Sequence, residues 1–119
     1  MTHYKGSCHC GAITFAFDHD EINTGLRCTC SICRRKGAVM SDFALLPDEL
    51  NIRIKDDMLG LYQFGSKIAK HFFCKTCGIY PFHETMRKPG HYRVNLGCID
   101  DVDTFNLEKV EIFDGKNLL

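Results

Sequence analysis

The sequence predicts a mainly β fold of antiparallel strands joined by short helical turns. Apolar residues recur at every second position in several short runs, the pattern of a strand with one buried face. Sustained helical periodicity is absent, and turn-forming residues punctuate the runs. Ile13, Phe15 and Phe17 share one face, with Thr14 and Ala16 opposite. Ile52 and Ile54 alternate with Asn51, Arg53 and Lys55; Tyr92, Val94 and Leu96 alternate with Arg93 and Asn95; Val110 and Ile112 alternate with Lys109 and Glu111. Segments 59–64, 69–73 and 79–83 are rich in aromatic and aliphatic residues that favour strand. Tyr80, Phe82 and Tyr92 alternate like core-packing strand residues. One or two helical turns are expected from Ser31 to Lys36, and another over Pro47–Leu50, where proline suits a first helical position. Asp18 to Gly25 and Lys88–Gly90 read as loops. Strand order does not follow from this pattern.

A chain of 119 residues fits a single domain spanning 1–119, long enough to bury a core. Its 45% hydrophobic and 25% charged residues describe an ordinary soluble protein. A formal net charge of zero gives no support to a general electrostatic grip on nucleic acid or anionic membrane, so neither is expected as a partner. No apolar run of signal-peptide or membrane-spanning length occurs, and a cytoplasmic location is expected. In a reducing compartment, clustered cysteines serve as metal ligands or catalysts more often than as disulfides, and a Cys-x-Cys pair strains a mutual bridge.

Seven of the eight cysteines fall in three clusters: Cys8-His9-Cys10-Gly11, Cys28-Thr29-Cys30-Ser31-Ile32-Cys33 and Cys74-Lys75-Thr76-Cys77-Gly78. Thiolates at such spacing converge on one ion through a tight turn, and Zn²⁺ accepts them tetrahedrally. The first and third clusters end in Cys-Gly, where glycine allows the positive φ of a metal knuckle. Together Cys8, Cys10, Cys74 and Cys77 make a closed structural site that ties the start of the chain to its second half. Cys28, Cys30 and Cys33 make three ligands with no following glycine, the arrangement of an open, catalytic position that favours a thiol as incoming ligand. Closure of this second site by Cys98 or a histidine is the alternative.

Arg34, Arg35 and Lys36 follow the middle cluster. They either anchor substrate carboxylates, Arg34 and Arg35 by bidentate pairing, or form a solvated face that offsets thiolate charge. His71, His83 and His91 are candidates for a general acid or a fourth ligand, with none singled out. His9 lies between two ligands and is expected to point away from the metal, and Cys98 reads as a buried small hydrophobe.

Through Gly6-Ser7-Cys8-His9-Cys10-Gly11-Ala12-Ile13, Cys28-Thr29-Cys30-Ser31-Ile32-Cys33-Arg34 and Phe73-Cys74-Lys75-Thr76-Cys77-Gly78, the sequence resembles the glutathione-dependent formaldehyde-activating enzyme family. Within it, Thr29–Gly37 and His71–Asp101 look most like the centromere protein V-like branch. The resemblance implies a β-tent fold around a structural zinc held by Cys8, Cys10, Cys74 and Cys77, and a second, labile or empty zinc site at Cys28, Cys30 and Cys33. It implies carbon–sulfur lyase chemistry, the reversible joining of glutathione and formaldehyde as S-hydroxymethylglutathione. The expected function is therefore a zinc-dependent lyase acting on the adduct of glutathione, or another thiol, with a small carbonyl compound. In that role the second zinc lowers the thiol pKa and the sulfur adds to the carbonyl carbon. The competing expectations are a zinc-stabilised binding module without catalysis, and a metal or redox sensor.

Overall fold

The computed structural model describes residues 1–119, and its architecture is mainly β. Strands β1 (Thr2–Ser7), β2 (Ile13–His19) and β4 (Asn51–Ile54) form an antiparallel sheet in the order β1-β2-β4. Strands β5 (Leu59–Tyr62), β6 (Lys70–Cys74), β7 (Phe82–Glu84) and β8 (Tyr92–Val94) form an antiparallel meander. The third sheet differs in kind: β3 (Thr24–Cys28) and β9 (Lys109–Phe113) pair in parallel. Helices are short, as expected: α1 (Ser31–Lys36), α2 (Gly115–Leu118) and 3₁₀ turns at Pro47–Glu49 and Leu96–Cys98. No helix is long and apolar enough to cross a membrane.

The alternation in β2 translates directly into packing. Ile13, Phe15 and Phe17 are buried, and the Phe15 ring meets Phe82 edge-on at 6.0 Å between centroids. Phe82 in turn meets Tyr92 edge-on at 5.9 Å. Such contacts clamp the first sheet to the meander, with Leu45, Val94, Leu96 and Ile99 completing the core. Partner choice also explains Gly6: a methyl there would overlap the Phe15 ring opposite it in the ladder.

Several local expectations shift. Strand β1 carries a single large buried side chain, Tyr4, so no alternation announces it. The loop expected over 18–25 shrinks because β2 continues to His19 and β3 starts at Thr24. Residues 79–81 are not strand. Pro81 has no N–H to give a ladder, and its carbonyl accepts instead from the Asn95 backbone at 2.9 Å. Leu96 enters a 3₁₀ turn, because the Asn95 side chain accepts from the Gly97 N–H at 3.0 Å and caps it. At the C-terminal end, alternation does not mean burial: Ile112 is 64% exposed.

Candidate metal centres and the cavity beside the second

The first cluster sits where two sheets meet. Cys8 and Cys10 lie in the turn between β1 and β2, Cys74 ends β6, and Cys77 lies in the turn beyond it. All four sulfurs lie within 4.8 Å of one another, with Cys8–Cys10 at 3.7 Å and Cys10–Cys74 at 3.6 Å. A tetrahedral ion with Zn–S bonds of ~2.3 Å requires sulfur separations of about 3.8 Å, so the cluster has the dimensions of such a site. The knuckles form as expected. Gly11 and Gly78 hold φ of 82° and 77° with open space where a Cβ would stand, so conformation rather than crowding demands glycine there. The Ile13 N–H donates to Cys8 Sγ at 3.3 Å, and the Gly78 N–H to the Cys74 carbonyl at 2.8 Å. Cys8 and Cys74 are fully buried, and their only polar company is backbone and other sulfurs. This set could hold zinc.

The second cluster has a different setting. Cys28 ends β3, Cys30 is the N-cap of α1, and Cys33 lies one turn into that helix. Their sulfurs also lie within 4.8 Å of one another, but all three residues are only partly buried. The Cys30 N–H donates to Cys28 Sγ at 3.4 Å. Helix α1 ends at Gly37, in the left-handed region at φ 67°, whose N–H donates to the Cys33 carbonyl. Burial pushes the Cys33 thiol up to about 12, against the opposing pull of Lys36. The C-terminal turn closes over the cluster: the Lys116 N–H donates to Thr29 Oγ1 at 3.1 Å. At Gly115 a methyl would overlap Cys28 Sγ and stand 3.1 Å from Cys30 Cβ.

All three cysteines of this cluster line a cavity of about 420 Å³. Its walls include Phe64, Met86 and Phe113, and four cations: Lys36, Arg87, Arg93 and Lys116. No aspartate or glutamate lines it. Arg87 lies over the Phe113 ring at 3.6 Å, while Arg93 is buried and donates to the Ser41 carbonyl at 3.1 Å.

Of the three basic residues after Cys33, only Lys36 enters this cavity. Arg34 and Arg35 are exposed and lie outside its walls, and Arg35 donates to the Ser31 carbonyl at 2.9 Å. Lys36 Nζ lies 3.3 Å from His71 Nδ1, 3.2 Å from His83 Nδ1, and 4.7 Å from the Tyr80 ring centroid. Tyr80 thus faces a cation rather than the core. Burial lowers the Lys36 pKa, with Cys33, Cys30 and Cys28 pulling it back up. Burial, reinforced by Lys36, brings His71 down to about 4 and sends His83 well below its ordinary value. His91 lies apart, against the Pro89 carbonyl. Cys98 is partly buried near the Tyr80 carbonyl, outside both clusters, and burial raises its pKa to about 12.

Comparison with known proteins places these clusters in a lineage. A crystal structure of a Rhodobacter sphaeroides protein is 37% identical and superimposes with a TM-score of 0.80, covering 91% of this chain and 98% of that one. The sequence family described as glutathione-dependent formaldehyde-activating enzyme matches residues 3–116. That match takes in all three cysteine clusters and nearly the whole fold, and the chain belongs to the glutathione-dependent formaldehyde-activating enzyme family.

Proposed function

We propose that this protein catalyses the reversible addition of a small thiol, glutathione or a close relative, to a small aldehyde such as formaldehyde, with two zinc ions of unequal role. The observation that carries the reading is the placement of Cys28, Cys30 and Cys33 in the wall of a cavity that has cations and no carboxylates. That wall suits a thiol carrying negative charge, and the family description names both glutathione and formaldehyde.

Cys8, Cys10, Cys74 and Cys77 would hold a structural zinc, and Cys28, Cys30 and Cys33 a second one. When bound, the second ion supplies stabilisation of a thiolate at neutral pH, which three thiolate ligands favour over activation of water. The chain does the rest. Arg87 and Lys116, at exposed edges of the cavity, would take the carboxylates of the thiol. Phe64, Met86 and Phe113 cover apolar parts of the ligand and exclude water. Arg34 and Arg35 then belong to the solvated outer face of α1.

The test uses zinc-loaded protein, glutathione and ¹³C-formaldehyde, with adduct exchange followed by NMR and zinc counted per chain. Two zinc ions, one of them easily removed and needed for faster exchange, is the expected result. One inert zinc, no thiol binding and no acceleration would overturn the enzyme reading and favour a zinc-stabilised binding module.

A further inference from the structure

Lys36 is a half-buried lysine with no carboxylate partner. Its ammonium hydrogen-bonds to the Nδ1 atoms of two histidines that stand opposite each other across the β6–β7 ladder, His71 and His83. These residues are 3% and 6% exposed. An ammonium has donors only, so both Nδ1 atoms accept and both rings carry their proton on Nε2. For His71 that leaves a buried Nε2–H with no acceptor. An orphaned buried donor is destabilising, and an apolar side chain at 71 would avoid it. The ring is therefore better explained by what its other nitrogen does, which is to hold Lys36. The two histidines use two of the three N–H groups of Lys36. The Tyr80 ring nearby is a cation–π partner without a lone pair aimed at the third. Lys36 itself lines the cavity that the three cysteines open onto.

We propose that Lys36 binds and protonates the carbonyl oxygen of the aldehyde, with His71 and His83 as the positioning residues that fix its ammonium. The assignment rests on the carbon–sulfur reading above and names the acid that reading lacks. As the thiolate sulfur attacks, the C–S bond forms and the C=O π pair moves onto oxygen. The oxygen takes a proton from Lys36 Nζ, giving the hydroxyl of the adduct and a neutral amine. The proton released by the next thiol on entering the cavity restores the ammonium. The sum is RSH + R′CHO → RS–CH(OH)R′, with no other reactant, and the reverse reaction retraces it. A donor fixed in this way stabilises charge that develops only in the transition state.

The experiment compares zinc-loaded wild type with Lys36→Met, which keeps the unbranched stem, one atom shorter, and removes the donors. The expected loss in kcat for adduct exchange is about 10²-fold or more, the usual span for a general acid, with KM for glutathione little changed. Affinity for S-methylglutathione, which has no oxygen on the transferred carbon, stays within about twofold by the same reasoning. Ring ¹⁵N spectra of wild type should show His71 and His83 as Nε2–H tautomers. Because the Lys36 variant removes a half-buried group, a second pair guards against misfolding. His83→Asn keeps a side-chain acceptor and retains most of kcat, and His83→Leu loses it. Undiminished kcat in Lys36→Met, or equal kcat in the two His83 variants, overturns the assignment while leaving the function standing. A wild type that does not accelerate exchange overturns both.

Discussion

The two cysteine clusters share a ligand chemistry and differ in everything around it. The four-cysteine set is held by turns that end two different sheets, β1–β2 and β6, with Cys8 and Cys74 wholly buried. The three-cysteine set hangs on one strand end and one short helix, is partly exposed, and faces a cavity. On the function proposed above, the same thiolates would act as a tie where the chain crosses itself, and as a reactive site at a cavity wall. What separates structure from function here is the connectivity behind the sulfurs rather than the sulfurs themselves.

The comparison breaks most visibly at the tie. Cys74→Ser removes a ligand that joins the meander to the first hairpin, and the expected outcome is loss of the cooperative thermal transition and of bound zinc. Structural zinc contributes on the order of 10 kcal/mol in small domains, comparable to the whole stability of most folds. Cys30→Ser should do the opposite. Cys30 caps α1 without any side-chain cap bond, and serine is a better cap than cysteine, so the helix survives. The second zinc and at least about 10²-fold of the exchange rate should go, the scale on which catalytic zinc contributes, while Tm moves by a few degrees at most. If Cys30→Ser unfolds the protein, or Cys74→Ser leaves Tm intact, the two clusters have the wrong roles.

The grouping of the cysteines was readable in the sequence because its units are local: thiols two or three residues apart, with glycine where a turn needs positive φ. So was the core face of β2, through plain alternation. The cavity was harder. Within a helix from Ser31 to Lys36, residue i+3 stands beside residue i, so Lys36 shares the face of Cys33, and Arg34 and Arg35 are rotated away. That distinction was available once the helix was assigned, but a run of three basic residues looks uniform on paper. The meeting of His71 with His83 depends on the register of two strands, and Gly115 on a parallel pairing between β3 and the last strand. Neither leaves a mark in residue spacing, since strand pairing is set by packing of whole faces.

Gly115 sharpens the comparison by touching only one cluster. Its φ is not in the left-handed region, so the demand for glycine is steric alone. Gly115→Ala pushes a methyl into Cys28 Sγ and against Cys30 Cβ. The C-terminal turn must lift or the sulfurs must spread. Second-zinc affinity should fall roughly 10–100-fold, the range seen when the support of a metal ligand is disturbed. The other zinc and Tm should stay nearly unchanged, as competition with a graded series of chelators would show. Retention of both zinc ions at wild-type affinity would mean that α2 is loosely applied.

The smallest expected effect lies in acid. His71 titrates near 6.5 in an unfolded chain and at about 4 here, because burial and then Lys36 oppose its charged form. Above pH 6.5 the ring is neutral in both states, and its contribution to stability is complete. Between about 6.5 and 4 the unfolded chain takes up a proton that the folded chain refuses, so stability falls as pH falls; below 4 the loss levels off. His83 shifts in the same direction. Protonation of thiolates that hold zinc would also weaken the fold in acid, but it would do so in any variant that keeps the cysteines. The difference between wild type and His71→Phe isolates the ring. Wild type should lose about 5 °C more of Tm between pH 7 and 4.5, since ~1 kcal/mol moves Tm by several degrees in a domain of this size. Parallel declines in the two proteins would mean that His71 is as free to take a proton in the fold as out of it, and that it does not face the Lys36 ammonium at close range.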